Sequence, residues 1–281
     1  MKIPKVEYAI IGGSSTFAIN FPEDCEIENI KIIEKNLFFS TPFGISPGFK
    51  LFSINDKFVL TCKMHGWRTG TERGDASKQI FWVFREAGVK FILTEGGVGS
   101  INKNFSPRDL IIPHDYIDFS LRRSSRLTDN YLLIMRDPFC PDLRNALDKT
   151  VKHLLPDRKL FTNGVYCNTD GRHFESRAEI KMIAGWGADI VGQSICPEAY
   201  LAREIGACYA GIYMVVNYAE GIIKDWEHEE LKDIFLNENK NIGNILLETL
   251  KETFLIEKKC ECQNLRKTTL LQENKNGETY V

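Results

Sequence analysis

Short apolar runs alternate with helical patterns over the first 220 residues of the chain. The runs at 8–13, 89–94, 109–112, 187–191 and 207–216 have strand length and no polar alternation, as expected of sheet strands buried on both faces. Between them, Ile80, Val83, Phe84 and Ala87 repeat at i, i+3, i+4, i+7 and stop at Gly88. Ala146, Leu147, Thr150, Val151 and Leu154 do the same after Pro141, a good first-turn residue. A third helix is predicted over 175–186, ending at Gly187, and a fourth from Pro197 to Gly206. This alternation predicts a three-layer α/β domain. After Asn217 the pattern changes: Leu231, Ile234, Phe235, Ile242, Ile245, Leu246 and Leu250 predict one or two C-terminal helices within 227–257. No internal repeat or low-complexity linker divides the chain, so 1–257 reads as one domain and 258–281 as a polar, loose tail carrying a Cys-x-Cys pair.

Composition narrows the function classes. With 281 residues, 43% hydrophobic and 26% charged, the chain has the balance of a globular protein and not of a disordered one. Thirty-six Lys and Arg against 38 Asp and Glu leave a formal charge of −2, so no basic field recruits nucleic acid. The charged first residues do not read as a signal peptide, and no apolar stretch approaches the ~20 residues of a membrane span. No membrane partner and a cytoplasmic location are expected.

The eight cysteines include no Cys-x-x-Cys pair and no His at zinc spacing, so no metal site is expected. Cys260-Glu261-Cys262 reads either as a small strained disulfide or as two reduced surface thiols, the latter favoured by a reducing compartment. Cys140 and Cys208 lie in segments that could approach each other, and read as packed small hydrophobes rather than a bridge.

Three segments could carry chemistry. Residues 10–15, Ile-Ile-Gly-Gly-Ser-Ser, follow the first strand, and glycines followed by hydroxyls let backbone approach an anion. The spacing fits neither a dinucleotide fingerprint nor a P-loop, so a tight strand-ending turn is an equal reading. A second glycine cluster, 94–100, follows another strand, and two such loops at the carboxyl ends of strands would share one crevice. Residues 63–73 supply His65, Arg68 and Arg73 in a third loop that could complete an oxyanion pocket. The acidic start of the last helix, 226–230, reads as a solvated turn matched to the helix dipole.

Taken in order, Gly12-Gly13-Ser14, 41–44 (Thr-Pro-Phe-Gly), Met64-His65-Gly66, 96–100, 137–141 (Asp-Pro-Phe-Cys-Pro), 171–179, 187–191 and Cys196-Pro197-Glu198 resemble the trimeric purine nucleoside phosphorylase and methylthioadenosine phosphorylase family over roughly residues 8–255. The resemblance implies a mixed central sheet flanked by helices, a homotrimer, and phosphorolysis of a purine nucleoside with inorganic phosphate as co-substrate and no other cofactor. Matched by position, Ser14, His65, Gly97 and Ser194 would hold phosphate, Phe174 would pack on the purine, and Gln193 stands where a Met commonly approaches the ribose. Cys260-Glu261-Cys262 is similar to the ending of some thermostable methylthioadenosine phosphorylases.

The same matching makes Glu175 and Asn217 the base readers, with His65 and Asn217 as catalytic candidates. A 6-oxopurine offers an N1–H donor and an O6 acceptor, which a carboxylate and a carboxamide satisfy, whereas a 6-aminopurine reverses both needs. This pair therefore predicts a 6-oxopurine preference, with a 5′-methylthio form as an option. Four positions depart from the family pattern: Trp67 for an Arg, Arg172-His173 for a Pro-containing pair, Glu95 for an Asn, and Gln193 for the Met. Either Arg68, Arg172 or His173 then supplies the phosphate's counter-charge, Arg68 being nearest the lost Arg, or the scaffold serves a nucleoside hydrolase or a non-catalytic purine binder.

Overall fold

The run at Tyr8 folds as β1 (Tyr8–Ile11), and its four residues alternate between two cores. Ala9 and Ile11 pack on one face of a sheet, Tyr8 and Ile10 on the other, which is the two-residue period of a doubly covered strand. The computed structural model describes residues 2–121, 126–128, 130–255 and 257–269. The further strands in chain order are β2 (Ile30–Leu37), β3 (Ser40–Thr41), β4 (Gly44–Ile45), β5 (Phe49–Ile54), β6 (Lys57–Cys62), β7 (Phe91–Ser100) and β8 (Leu110–Ile111). They are followed by β9 (Asp115–Asp118), β10 (Tyr131–Leu133), β11 (Leu160–Phe161), β12 (Val165–Asn168), β13 (Ile190–Gly192), β14 (Cys208–Tyr218) and β15 (Arg266–Thr268). The helices are α1 (Arg73–Ala87), α2 (Pro141–Leu154), α3 (Arg177–Gly185), α4 (Ile195–Ile205) and α5 (His228–Thr253).

The main sheet runs β11-β8-β14-β7-β1-β6-β5-β2, with β13, β12 and β9 branching from the far end of β7. Its centre is parallel: β1 pairs with β6 and β7, and β7 with β14. Its flanks are antiparallel, at β5 and β2 on one side and β8 on the other. This is the mixed, helix-flanked sheet that the family resemblance implies. Ile80, Phe81 and Phe84 of α1 and Leu201 and Ala202 of α4 fill one core, and Leu143, Leu147 and Val151 of α2 with Ile242, Ile245, Leu246 and Leu250 of α5 fill the other.

Several elements differ from the sequence-based expectation for identifiable reasons. β2, which forms a hairpin layer with β5 and β6, does not stand out in the sequence because its Ile and Leu are interspersed with Lys, Glu and Asn and most of its residues are exposed on a sheet edge. The second glycine cluster is not a loop: all of 94–100 continues β7. The third helix starts at Arg177, because Ser176 caps it in a reciprocal bond pair with Glu179, which leaves Glu175 outside the helix. The fourth starts at Ile195, and the first reaches back to Arg73. The C-terminal pattern is one helix of 26 residues. The tail is not loose at its start, since Arg266–Thr268 pairs with Tyr131–Leu133. Cys262 is buried rather than a surface thiol, and all eight cysteines are free. Among the described residues no helix is long and apolar enough to cross a membrane.

Candidate active site

The carboxyl ends of β1, β6, β7 and β14 open onto one cleft, as parallel strands do at their ligand-bearing edge. A register shift between Val215 and Asn217 bends the end of β14 and brings Asn217 to the cleft wall. Asn217 is 3% exposed; its Nδ2 donates to the Tyr218 carbonyl at 2.8 Å, and its Oδ1 is buried without a partner. Such an orphaned acceptor is uncommon in a folded interior and fits a ligand N–H. Across the cleft, Glu175 is 7% exposed, with Oε1 accepting from the Thr169 hydroxyl at 2.6 Å. Phe174 beside it is half exposed, its ring 4.6 Å from that of Trp226.

His65 enters from the turn after β6. Met64, His65 and Gly66 all adopt left-handed backbone, with φ of 50°, 51° and 70°, a local strain that coils the chain tightly enough to bury the imidazole. Its Nδ1 lies 2.8 Å from Oε1 of Glu198, whose Oε2 accepts from the Tyr209 hydroxyl at 2.8 Å. A carboxylate buried to 0% exposure inside α4 needs such partners, and in return it fixes the imidazole's orientation. The other ring nitrogen, Nε2, faces the first glycine turn, where a Cβ on Gly13 would stand 2.6 Å from it and 2.2 Å from the Glu95 carbonyl oxygen. Only glycine fits there.

That glycine turn is already occupied by an anion of the protein itself. One oxygen of the Glu95 carboxylate accepts from the N–H of Gly13, from the N–H of Thr16 at 3.1 Å and from the Thr16 hydroxyl at 2.7 Å. The other accepts from the N–H of Ser15 at 3.0 Å. Glu95 is fully buried. The adjoining donor is also taken, since Gly97 N–H donates to Ser14 Oγ at 2.9 Å.

The sequence model described as "Phosphorylase superfamily" matches residues 7–251. The chain belongs to that superfamily. A protein named probable S-methyl-5′-thioinosine phosphorylase, from Methanothermobacter thermautotrophicus, is 30% identical over 91% of this chain and 87% of its own length. The S-methyl-5′-thioadenosine phosphorylase of Pyrococcus furiosus is also 30% identical, over 95% and 99%. The crystal structure of a methylthioadenosine phosphorylase from an antarctic soil metagenomic library shares the fold, with a TM-score of 0.80 at 22% identity over 93% of this chain and 91% of that one. The family-level resemblance read from the motifs therefore holds. Equal identity to a thioinosine and a thioadenosine enzyme leaves the choice of base to the residues of the cleft.

Of the residues the sequence singled out, Ser14, His65, Gly97, Phe174, Glu175, Gln193, Ser194 and Asn217 all line the one cleft. Arg68 does not. It is tied to the carbonyls of Gly66, at 2.8 Å, and Ile45, at 2.6 Å, and to the Gln79 side chain, so it buttresses the loop rather than facing an anion. The side-chain reversal along an extended segment accounts for the miss. Arg172 lies against a separate hollow with Arg73 and Asp170. Arg73 lines the same hollow and reaches two residues of the cleft wall, its guanidinium stacked 3.8 Å over Trp67 and donating to Gln193 Oε1 at 2.8 Å. Ser194 Oγ sits 3.3 Å from the Tyr166 hydroxyl.

Sequence reasoning passed over four contributors. Glu198 was legible only as part of the Cys-Pro-Glu motif, and a Glu within an otherwise apolar helix face was the available signal for a buried partner. Leu231 and Phe235, read as core positions of the last helix, form an apolar wall of the cleft. Trp226, assigned to a solvated turn, packs on Phe174 and donates its indole N–H to Glu220 at 2.9 Å.

Proposed function

We propose that the protein is a purine nucleoside phosphorylase, a pentosyltransferase that cleaves the N-glycosidic bond of a 6-oxopurine nucleoside with inorganic phosphate. The products are the free base and a ribose 1-phosphate. The observation that carries the proposal is the placing of an exposed aromatic ring, a buried carboxylate and a buried orphaned amide oxygen around one cleft, in Phe174, Glu175 and Asn217. Phe174 packs on the purine face. Glu175, an acceptor only, takes the N1–H of a 6-oxopurine and repels the bare N1 of a 6-aminopurine. As the bond breaks, electrons move into the base and N7 takes a proton from solvent; Asn217 Oδ1 accepts that N7–H, and the Nδ2 hydrogen not given to Tyr218 donates to O6. This interaction strengthens toward the transition state and is therefore catalytic rather than merely binding. The Leu231 and Phe235 wall favours an apolar 5′ substituent such as methylthio over a hydroxyl.

The nucleophile's end sits between His65, Ser14 and Ser194, where the Glu198-oriented imidazole faces the oxocarbenium-like sugar. Phosphate using the glycine turn must displace Glu95, because the N–H groups of Gly13, Ser15 and Thr16 cannot serve two anions. The position of Glu95 favours one second reading, capture of the sugar by water to give free ribose. Assaying a nucleoside panel with and without phosphate, and identifying the sugar product, separates the two. Phosphate-dependent ribose 1-phosphate supports the first reading; free ribose at full rate without phosphate supports the second.

The proposal extends to a homotrimer in the cytoplasm that serves purine salvage. Phe17, Phe38 and Ile45, each more than half exposed, are apolar surface that a neighbouring subunit would cover. Light scattering at micromolar concentration tests the trimer, and a monomer contradicts it.

A further inference from the structure

Four cysteines from three distant parts of the chain converge at the end of the sheet opposite the cleft. Cys140 is the residue preceding the first turn of α2, Cys208 opens β14, and Cys260 and Cys262 lie in the segment after α5. Their sulfurs all lie within 4.8 Å of one another, and Cys208 Sγ is 3.4 Å from Cys260 Sγ. Cys140, Cys208 and Cys262 are buried and Cys260 is partly so; all four are free thiols. From these positions we propose that Cys140, Cys208, Cys260 and Cys262 form a closed tetrahedral zinc site that pins the C-terminal segment to the sheet.

The spacing selects among the possible fates of four neighbouring thiols. Zinc–sulfur bonds of about 2.3 Å place tetrahedral sulfurs about 3.8 Å apart, in the range seen here. Disulfide sulfurs sit about 2.05 Å apart in pairs, and that chemistry joins two and two rather than four around a point. Soft thiolates select zinc among the abundant divalent ions, and four of them leave no open position, the mark of a structural rather than a catalytic ion.

The ligands are also held by bonds that do not involve sulfur. Asp142, in the first turn of α2, accepts the N–H groups of Lys259 and Cys260, both at 2.9 Å, and so fixes the Cys-x-Cys turn against the helix that follows Cys140. Arg203 donates to the Cys262 carbonyl at 3.1 Å. Cys140 N–H donates to the Tyr209 carbonyl at 2.8 Å, tying the first ligand to the strand that carries the second. A zinc ion with four thiolates carries two net negative charges. The positive end of the α2 dipole at Cys140 and the ammonium of Lys258, seated over Phe91, offset them. The sequence hid the site because its ligands come as two single cysteines and a Cys-x-Cys, and no local zinc spacing exists. Cys208 and Asn217 open and nearly close the same strand, about 30 Å apart at 3.3 Å per residue, so the ion sits away from the chemistry.

The test uses the full chain purified in reductant without added metal, with zinc measured by elemental analysis and thiols counted by reagent after denaturation. One zinc per chain is expected, with cobalt loading giving the absorption of a tetrahedral thiolate complex. Cys260→Ser and Cys262→Ser should each bring zinc from one per chain to near zero and lower the unfolding temperature. Nucleoside cleavage at moderate temperature should stay unchanged. Chelation of the unmutated protein gives the same readout if a variant does not fold. No metal alongside eight free thiols, two disulfides by intact mass, or iron in place of zinc would overturn the proposal.

Discussion

On the proposed function the cleft has two ends: at the base end a buried polar atom, Asn217 Oδ1, has no protein partner, whereas at the anion end Gly13, Ser15 and Thr16 give their N–H groups to Glu95. The first arrangement costs folding energy and is repaid only by a ligand; the second is complete as folded. The base end is therefore organised for an incoming molecule. The anion end holds its own substitute for one, so phosphate, if it binds there as proposed, competes with a carboxylate fixed by the chain.

The largest effect should come from removing the orphaned amide. Asn217→Leu is expected to lower kcat/KM by at least about 10²-fold, by analogy with the ~2.7–4 kcal/mol cost of losing one transition-state donor. Asn217→Asp should narrow or reverse the preference for inosine-type over adenosine-type substrates. Equal rates on both, unchanged in Asn217→Asp, would break the base-end half of the comparison.

Glu95→Ala tests the other half. It leaves buried N–H groups unpaired, at about 1–3 kcal/mol each, so the variant should unfold earlier without phosphate. Added phosphate should raise its melting temperature more than that of the unmutated protein, and saturation should occur at about tenfold lower phosphate, an advantage of ~1.4 kcal/mol. A phosphate response equal in the two proteins would show that the glycine turn is not the phosphate site.

The two arginines sharpen the boundary of the anion end. Arg68→Ala, which frees the carbonyls of Gly66 and Ile45, should lower stability by about 1–3 kcal/mol with little change in phosphate saturation. Arg73→Ala removes the stack on Trp67, worth about 0.5–2 kcal/mol, and the hold on Gln193, and should raise KM a fewfold instead. Steady-state kinetics and thermal melts on both variants decide it, and a reversed pattern would return the counter-charge to Arg68.

The smallest effect concerns the helix that walls the base end. Burial alone would push the Glu238 carboxyl up, but hydrogen bonds from Asn241, Arg158 and Arg108 outweigh it and hold the group below its ordinary value. A depressed carboxylate contributes stability above its unfolded-state value and loses it as pH falls through the folded one. Glu238→Gln should therefore destabilise the protein at neutral pH and much less in acid, read from melts across pH. A pH-independent difference would contradict this.

The sequence disclosed the buried strands and amphipathic helices because their apolar periods are set by packing on both sides of a sheet. It did not disclose β2, whose exposed Lys and Glu suit an edge, nor the length of β7, where glycines read as a loop yet make room for Tyr213, Phe235 and Val191. For the cleft, collinear motifs placed eight candidate residues on one wall or another. The pattern could not say that Arg68 turns away or that Glu95 reaches 80 residues back to Ser15, since both depend on side-chain direction and not on order. Glu95 registered only as a departure from a family pattern, and its role follows from the donors around it.

The most direct test of the central claim is product analysis of methylthioinosine or inosine cleavage while phosphate is varied from none to saturation. The account predicts a ribose 1-phosphate product, no turnover without phosphate, and saturation at high phosphate that shifts to lower concentration in Glu95→Ala. Free ribose released at full rate in phosphate-free buffer would contradict it.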